Sequence, residues 1–409
     1  MAFSVANNNL VNKTETVFAL EELSKLDNAN FDTLKLLVLA DQNYPAQVVR
    51  DYVQAIMQHS KHEVTIKSPR KSTSRWKRYL PRKKIPLEDE QGRPYDAVII
   101  HYSICILFES YISLELIEEL RSFKGVKIQI IQDEHRWVNR MIQQMDYLKI
   151  DAIVSSLSFQ NIEKVYGSEK LKKVFKVSAL PGYVPKRLEN LKTRPIRDRI
   201  NHLVYRGREL PFWMGKACFE KTNLTNQFIT HSKGLGLSLD LSSKEKDRIY
   251  GEDWIMFLSS AKAVLGLEGG ASIFDFDGGA ERVVKQYLRS NRNAKFEEVY
   301  DAVLHPFEGN VVHRTITPRS FEAISLRTVQ VMFQGNYRGV LQPWRHYLPL
   351  ERNFSNIRQI AEILKDDKQL QKIADRTYDE IIGSRLYSDK ILGLGLDALI
   401  SKLIKRKKN

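Results

Sequence analysis

The sequence predicts an α/β protein made of two doubly wound domains that face a cleft. Short apolar runs of strand length, such as Leu34–Leu39, alternate with segments of helical periodicity along most of the chain. Proline and glycine cluster around Leu180–Arg194, where a linker between two such series is expected. A length of 409 residues also suits two domains better than one core. Folds of this class bind ligands at the carboxyl ends of their strands.

The first domain is predicted over residues 34–190, after a polar extension over residues 1–33. Repeated strand–helix–strand units indicate an open parallel sheet. The predicted strands are Leu34–Leu39, Tyr95–Ile100, Val126–Ile131 and Ala152–Ser155. The predicted helices are Pro45–His59, Ser113–Ser122, Arg136–Leu148 and Gln160–Tyr166.

The second domain is predicted over residues 191–385, and a helix with a basic tail follows over residues 386–409. The predicted strands are His202–Tyr205, Ala263–Leu267 and Gly339–Gln342. The predicted helices are Glu281–Leu288, Phe321–Met332 and further helices from Ile357 onward.

The formal net charge of +15 favours an anionic partner. Much of it lies in two segments, Lys61–Lys84, with ten basic residues and one acid, and Lys402–Asn409. We assign the first segment to a loop in which Trp76 and Tyr79 are interleaved with Lys and Arg. Such a loop suits an anionic membrane surface or a nucleic acid, and it is also compatible with a solvated loop that binds nothing. Because no nucleic-acid-binding motif is present, we expect no nucleic-acid partner.

Several other classes of protein are disfavoured. The longest uncharged apolar stretch, Ala97–Phe108, is far shorter than the roughly 20 residues of a membrane-spanning helix. The N-terminus lacks the pattern of a signal peptide. Two cysteines, Cys105 and Cys218, provide neither a disulfide framework nor metal-ligand spacing. We therefore expect a cytoplasmic protein.

The stretch TPRSFEAISLRTVQV, Thr317–Val331, predicts a helix start with one carboxylate, Glu322, close to it. Unpaired N–H groups at a helix start suit a diphosphate, and Arg319 could offset its charge. The Glu322 carboxylate could accept hydrogen bonds from a ribose diol. The alternative is that Glu322 only interacts favourably with the helix dipole.

The stretch LGLEGGASIFDFDG, Leu265–Gly278, predicts a buried strand that runs into a glycine turn over Glu268–Ser272. The two glycines permit close approach of a ligand to the backbone. Asp275 and Asp277 lie two residues apart, so in an extended segment they share a face and could bind a metal or hydroxyl groups. They could equally be solvated acids of a turn.

Polar residues follow three further predicted strands. In YRGRELPFWMG, Arg206 and Arg208 suit phosphate binding, although structural ion pairs explain them equally well. In the first domain, His101–Ser103 and Asp133–His135 follow two strands. A histidine or an acid there could act as a general base for an acceptor hydroxyl, or it could be a hydrogen-bonded structural residue.

These motifs resemble a known family. Thr317–Val331 resembles the donor-site helix of GT-B glycosyltransferases of the retaining family-4-like type and the related CgeB-like group, in which two glutamates are separated by seven residues. Glu322 matches the second glutamate, whereas Arg314 stands at the position of the first. YRGRELPFWMG, LGLEGGASIFDFDG and HYLPLERNFSNI (His346–Ile357) resemble glycosyltransferases of bacterial polysaccharide loci, and the likeness covers about Tyr205–Ile382.

The resemblance implies two Rossmann-like domains in the GT-B arrangement and transfer of a sugar from a nucleotide-diphosphate sugar to a glycan or lipid-linked acceptor in surface polysaccharide synthesis. It implies retention at the sugar, ribose binding by Glu322, and no metal or other cofactor. The basic segment and tail would hold the enzyme on the inner membrane leaflet. The donor-binding candidates are Glu322, Arg319, Arg206, Arg208, Glu268, Gly269, Gly270, Ser272, His346 and Tyr347. The catalytic candidates are His101, His135 and Asp133. A non-catalytic scaffold of the same fold and a nucleic-acid-binding protein are the alternatives.

Overall fold

A computed structural model describes residues 33–70 and 84–408. The chain divides into two compact units. The C-terminal unit is Leu180–Ser388, and the N-terminal unit comprises the described residues up to Ala179 together with those from Asp389 onward. The predicted extension (apart from Thr33), the aromatic part of the basic segment at residues 71–83, and Asn409 lie outside the described residues.

The N-terminal unit is built on a six-stranded parallel sheet in the order β2-β1-β3-β4-β5-β6. Its strands are β1 (Lys35–Leu39), β2 (Glu63–Lys67), β3 (Ala97–Ile100), β4 (Val126–Ile131), β5 (Ala152–Ser155) and β6 (Phe175–Ser178). Its helices are α1 (Gln47–His59), α2 (Leu114–Ser122), α3 (Val138–Tyr147), α4 (Phe159–Tyr166) and, at the end of the chain, α12 (Asp389–Lys408).

The four inner strands of this sheet, β1, β3, β4 and β5, are buried along almost their whole length. Helices cover both faces of a parallel sheet, so its strands read as apolar runs rather than as alternating patterns. The strand order reverses between β1 and β3, and in open α/β sheets ligands bind outside the carboxyl ends at such a point.

The C-terminal unit has a five-stranded parallel sheet in the order β13-β12-β9-β7-β8 and a small antiparallel pair, β10 with β11. Its strands are β7 (Asn201–Arg206), β8 (Leu239–Ser242), β9 (Ala261–Gly266), β10 (Gly269–Ala271), β11 (His313–Thr315), β12 (Val329–Phe333) and β13 (Leu348–Leu350). Its helices are α5 (Lys216–His231), α6 (Gly251–Ser259), α7 (Gly279–Ser290), α8 (Phe296–Val299), α9 (Pro318–Ser325), α10 (Ile357–Lys365) and α11 (Asp367–Thr377).

Three of the secondary-structure predictions are wrong. The helix expected over Phe321–Met332 is the short helix α9 followed by strand β12. The chain turns at Arg327, which has a left-handed φ of 51°, and the β-branched residues after it favour a strand. The strand expected over Gly339–Gln342 is absent from the described residues, since a 3₁₀ turn at Tyr337–Gly339 ends there. The basic segment, assigned to a loop, begins with edge strand β2.

Helix α12 packs on α1 within the N-terminal unit. The carboxylate of Asp397 accepts hydrogen bonds from the Ser60 hydroxyl and from the backbone N–H of Lys61, both at 2.7 Å. The backbone of the two helices approaches closely, because a Cβ on Gly393 would come within 2.7 Å of the Cβ of His59. None of the described helices is long and apolar enough to cross a membrane.

Candidate functional site

The carboxyl edge of the C-terminal sheet brings most of the donor-binding candidates together. Arg206 ends β7, Glu268 follows β9, and the start of α9 lies beside the turn that follows β9. These segments come from different parts of the chain, and the parallel strands place them on one edge.

Glu322 lies in the second turn of α9, with 9% of its surface exposed. Its Oε2 atom accepts a hydrogen bond from the indole Nε1 of Trp254, on α6, at 2.8 Å. The helix begins with Pro318, which has no N–H, and the side chain of Thr317 makes no capping hydrogen bond. The Thr317 side chain therefore does not offset the positive end of this helix dipole, although the Ser320 N–H already donates to the Thr317 carbonyl at 3.0 Å.

Arg319 lies one turn before Glu322, and its guanidinium contacts two aromatic rings. Its Cζ atom is 5.2 Å from the ring centre of Tyr205 and 5.0 Å from that of Trp254. Cations at such distances are attracted by the ring faces. Burial raises the pKa of Tyr205, and the nearby Arg319 opposes that rise. A fixed cation thus stands at the helix start.

The glycine turn after β9 approaches α9 because it lacks side chains. A Cβ on Gly269 would come within 2.9 Å of the Cγ2 atom of Thr317. Gly270 has a φ of 114°, and a Cβ there would lie 2.1 Å from the carbonyl oxygen of His313 on β11. Other residues could not adopt this backbone without strain. We call Gly269, Thr317, Arg319, Glu322 and Trp254 the α9 site.

The two arginines after β7 differ in their surroundings. The guanidinium of Arg206 lies 2.8 Å from a carboxylate oxygen of Asp240 and also donates to the carbonyls of Tyr205 and Asp240. It additionally lies over the ring of Phe257, at 4.4 Å. These contacts fit the structural ion pair named as its alternative. Arg208 is exposed.

Glu268 and Tyr347 lie together around Gly335, which follows β12. The Oε1 atom of Glu268 accepts a hydrogen bond from the Tyr337 N–H at 2.9 Å. The hydroxyl of Tyr347 accepts one from the Gly335 N–H at 3.4 Å. Burial, with a smaller effect of Glu268, raises the pKa of Tyr347. His346 points elsewhere, because its Nε2 atom lies 2.7 Å from a carboxylate oxygen of Glu380.

The remaining polar residues of the glycine-turn region stabilise helix starts. The Ser272 hydroxyl accepts a hydrogen bond from the Ala217 N–H at the start of α5, at 3.1 Å. The Asp275 carboxylate accepts from the Ala280 and Glu281 N–H groups of α7, at 3.2 and 2.9 Å. Asp277 accepts from the Gly279 N–H at 2.9 Å. Such contacts are those of helix-capping side chains.

No group of His, Cys, Asp and Glu residues in the described ranges has the arrangement of a metal site. Arg314, on β11, pairs with Glu220 at 3.2 Å. Glu220 also pairs with Arg352 at 3.4 Å. Arg314 therefore belongs to an ion-pair cluster of two arginines around Glu220.

At the carboxyl edge of the N-terminal sheet, His101 is fully buried. Its Nδ1 atom lies 2.9 Å from the Ser103 hydroxyl oxygen, which in turn accepts a hydrogen bond from the Asp41 N–H at 2.9 Å. Burial lowers the pKa of His101 to about 3, so its imidazole is neutral at pH 7. Asp41, which also pairs with Arg70, follows β1 in the same way that His101 follows β3.

The other strand end contains Asp133, which is exposed, and His135, which is half-buried. Glu134 between them is buried and accepts hydrogen bonds from the hydroxyls of Ser155 and Tyr166, both at 2.8 Å. Burial raises the pKa of Glu134 to about 7, although these donors oppose the rise. Glu134 was predicted only as a member of the Asp133–His135 cluster, and nothing in the local sequence distinguishes it from its two neighbours.

Two residues that contact the candidate residues, Asp41 and Trp254, were not identified from the sequence. Asp41 follows the apolar run of β1 directly, which is the same signal that identified His101. Trp254 precedes Glu322 by 68 residues, and nothing in the local sequence indicates their hydrogen bond.

No family model matches the sequence, and no curated protein matches it either. Among solved structures, an alpha-glucosyltransferase in complex with UDP and a 13-mer DNA containing a HMU base is similar to this chain, with a TM-score of 0.56 and 11% identity over 91% of this chain and 100% of that one. An alpha-glucosyltransferase (AGT) in complex with UDP has a TM-score of 0.53 and 9% identity, covering 90% of this chain and 100% of that one.

At these identities the similarity shows the fold and nothing finer. The chain consists of two Rossmann-like units, each with a parallel sheet, and has the GT-B fold. The predicted fold class is thereby confirmed.

Proposed function

We propose that this protein is a glycosyltransferase that moves a sugar from a nucleotide-diphosphate sugar to a glycan or lipid-linked acceptor in surface polysaccharide synthesis, with retention at the sugar. The observation that carries the proposal is the α9 site, where a carboxylate, a fixed cation and an uncapped helix start meet at a sheet edge. The GT-B fold and its glucosyltransferase neighbours support the same class of reaction.

In this proposal each group of the α9 site has one task. The Glu322 carboxylate accepts hydrogen bonds from the ribose hydroxyls. The positive end of α9 and Arg319 stabilise the diphosphate, whose charge grows as the sugar–phosphate bond breaks. The absence of a side chain on Gly269 lets the glycine turn approach the start of α9, so the backbone of the turn lies beside the proposed diphosphate position. With these groups compensating the charge, we expect turnover to persist in the presence of a chelator.

The exposed Arg208 is the better candidate of the two β7 arginines for an added phosphate contact, because Arg206 already pairs with Asp240. In the N-terminal unit, Asp133 and His135 are the candidates for contact with the acceptor. His101 is buried and neutral, so we assign it the positioning of Ser103 and the neighbouring loop rather than proton transfer.

A thermal-shift panel tests the donor site. The wild type is measured with UDP, GDP, CMP, dTDP and their sugar conjugates, alongside Glu322→Gln. A ligand at 100 times its dissociation constant adds about 2.7 kcal/mol of stability. We expect one nucleotide to shift the wild type, and the shift to be lost in Glu322→Gln. Glu163→Gln, which alters an exposed partner of Lys176 in the other unit, is the matched control and should retain it.

The outcome also separates the alternatives. If no nucleotide shifts the wild type, the transferase proposal is wrong. If a nucleotide binds but radiolabelled sugar reaches no glycan, lipid-linked or DNA acceptor, the protein is a binding scaffold. The net charge of +15 keeps DNA in the acceptor panel, and sugar transfer to DNA alone would replace the polysaccharide acceptor in the proposal.

A further inference from the structure

The N-terminal unit has a pocket of about 330 Å³ at the opposite edge of its sheet from His101 and Asp133. It lies where the chain enters β5 and β6, beside the last turns of α12. Its lining is of two kinds. The buried floor is apolar, formed by Met145, Ile150, Val174 and Leu403. The rim is charged, formed by Lys149, Lys170, Lys173, Arg406, Lys407, Asp146 and Asp151. We call it the amino-edge pocket.

The rim carries five basic and two acidic side chains, so its net charge is +3. The acids are already engaged, since Asp151 lies 2.8 Å from the Nζ atom of Lys407 and Asp146 lies 3.4 Å from that of Lys170. The positive excess is therefore carried by Lys149, Lys173 and Arg406, all of which are exposed. An anion entering the pocket would meet these three side chains.

Contacts of Lys407 fix one wall of the pocket. Lys407 donates to the backbone carbonyl of Gly125 at 2.7 Å as well as pairing with Asp151, which fixes the end of α12 against the sheet. On the neighbouring strand β4, burial lowers the pKa of Lys127 to about 8. Asp151 opposes this lowering, and Lys407 and Lys149 add to it.

An apolar floor beneath a cationic rim fits an anionic amphiphile better than a nucleic acid. Nucleic-acid sites combine a basic groove that tracks the backbone with aromatic faces for stacking. Here the cations surround one compact pocket. The exposed aromatic residue next to it, Tyr147, has a face covered by the guanidinium of Arg121, at 4.3 Å. Basic residues beside an anionic leaflet each strengthen binding, and an apolar floor beneath the phosphate suits the acyl end of a lipid.

We propose that the amino-edge pocket binds the phosphate headgroup of an anionic phospholipid and docks the N-terminal unit on a membrane surface. The docking concentrates the proposed transferase at the membrane surface, where lipid-linked acceptors lie, and in that respect it rests on the proposed function. The sequence predicted membrane contact through Lys61–Lys84 and the basic tail, and the pocket joins Arg406 and Lys407 of that tail to Lys149 and Lys173 at the amino edge of the sheet.

Vesicle cosedimentation of the full chain, without donor, tests the proposal. The vesicles are phosphatidylcholine with or without phosphatidylglycerol. The pocket variant replaces Lys149, Lys173 and Arg406 by Gln. The control variant makes the same change in charge in the C-terminal unit, at the exposed residues Lys233, Arg289 and Arg292.

We expect the wild type to bind only the vesicles that contain phosphatidylglycerol. Each basic residue near an anionic leaflet contributes roughly a fivefold factor in affinity, so the pocket variant should bind about a hundredfold more weakly. The control variant should bind like the wild type. Glu322→Gln should also bind vesicles like the wild type, because Glu322 lies in the other unit. Loss of nucleotide binding and loss of membrane docking are therefore distinguishable.

Four results would overturn the proposal. Equal losses in both variants would mean that only net charge matters. No loss in the pocket variant would place the docking elsewhere, for example at residues 71–83. Binding of a single-stranded oligonucleotide but of no vesicle would assign the surface to nucleic acid. A thermal shift with inorganic phosphate, lost in the pocket variant and without vesicle binding, would make the ligand a free phosphate.

Discussion

Replacing Trp254 by Phe isolates one contact of the α9 site. The substitution removes the indole N–H that donates to Glu322 at 2.8 Å, and it keeps an aromatic ring near the guanidinium of Arg319. Without this hydrogen bond the carboxylate is free to leave the rotamer in which we propose that it meets the ribose. Trp254→Phe should therefore weaken donor binding without unfolding the unit.

The expected size follows from the character of the bond. Hydrogen bonds to charged groups contribute about 1.5–3 kcal/mol, and the half-buried position of Trp254 favours the lower end. A loss of about 1.4 kcal/mol is a tenfold change in affinity. The dissociation constant of the nucleotide, measured by titration calorimetry, should thus rise about tenfold. The same substitution at Trp344, an exposed tryptophan of the same unit, should leave it unchanged.

A double-mutant cycle tests whether Trp254 acts through Glu322. If it does, Trp254→Phe should cost little in a chain that already carries Glu322→Gln, since residues that contact each other are not additive. In steady-state kinetics the donor KM should rise more than kcat falls. The reasoning is refuted if the two substitutions add fully, or if Trp254→Phe and Trp344→Phe have the same effect.

Three further predictions concern stability and can be checked by urea unfolding. Gly270→Ala should lower the free energy of unfolding by more than about 1 kcal/mol, because the added Cβ would collide with β11. Gly309→Ala is the control and should cost less, because its Cβ would meet no atom within 4 Å. Equal costs of the two substitutions would contradict this explanation. Asp397→Ala should lower the free energy of unfolding by about 1–3 kcal/mol, because the Lys61 N–H and the Ser60 hydroxyl lose their acceptor. An unchanged urea midpoint would contradict this prediction. Glu134 has its pKa raised from 4.5 to about 7, so the folded chain retains a proton that the unfolded chain releases, and stability should fall as the pH rises through this interval. Glu134→Gln should flatten that dependence, and an unaltered slope would exclude Glu134 as its source.

The repeated strand–helix pattern was predictable because parallel strands buried on both faces leave apolar runs in the sequence. Val126–Ile131 and Ala152–Ser155 were predicted with the bounds they have. Local signals failed where two kinds of element follow each other without a glycine or a proline between them. The Phe321–Met332 segment contains neither residue, and only the left-handed turn at Arg327 separates α9 from β12.

The candidate site was predictable to the extent that it depends on chain position. Strand ends and helix starts are visible in the sequence, so Glu322, Arg319 and the glycine turn could be grouped before the structure was known. Contacts between side chains that are distant in the sequence could not be predicted. Arg206 is held by Asp240, 34 residues later, and its neighbours in the sequence give no sign of that pairing.

Helix α12 also has a consequence for the order in which the protein is made. The sheet of the N-terminal unit ends with β6 at Ser178, but the unit is completed only by α12, whose buried residues include Leu396, Leu399 and Ile400. At about 5–20 residues per second, the ribosome needs roughly 10–45 seconds to add the roughly 230 residues from the end of β6 to the end of α12. The C-terminal unit is continuous in sequence and can close during that interval. The part synthesised first is therefore the last to be finished, and until then it presents an uncovered apolar surface to the chaperones at the ribosome exit.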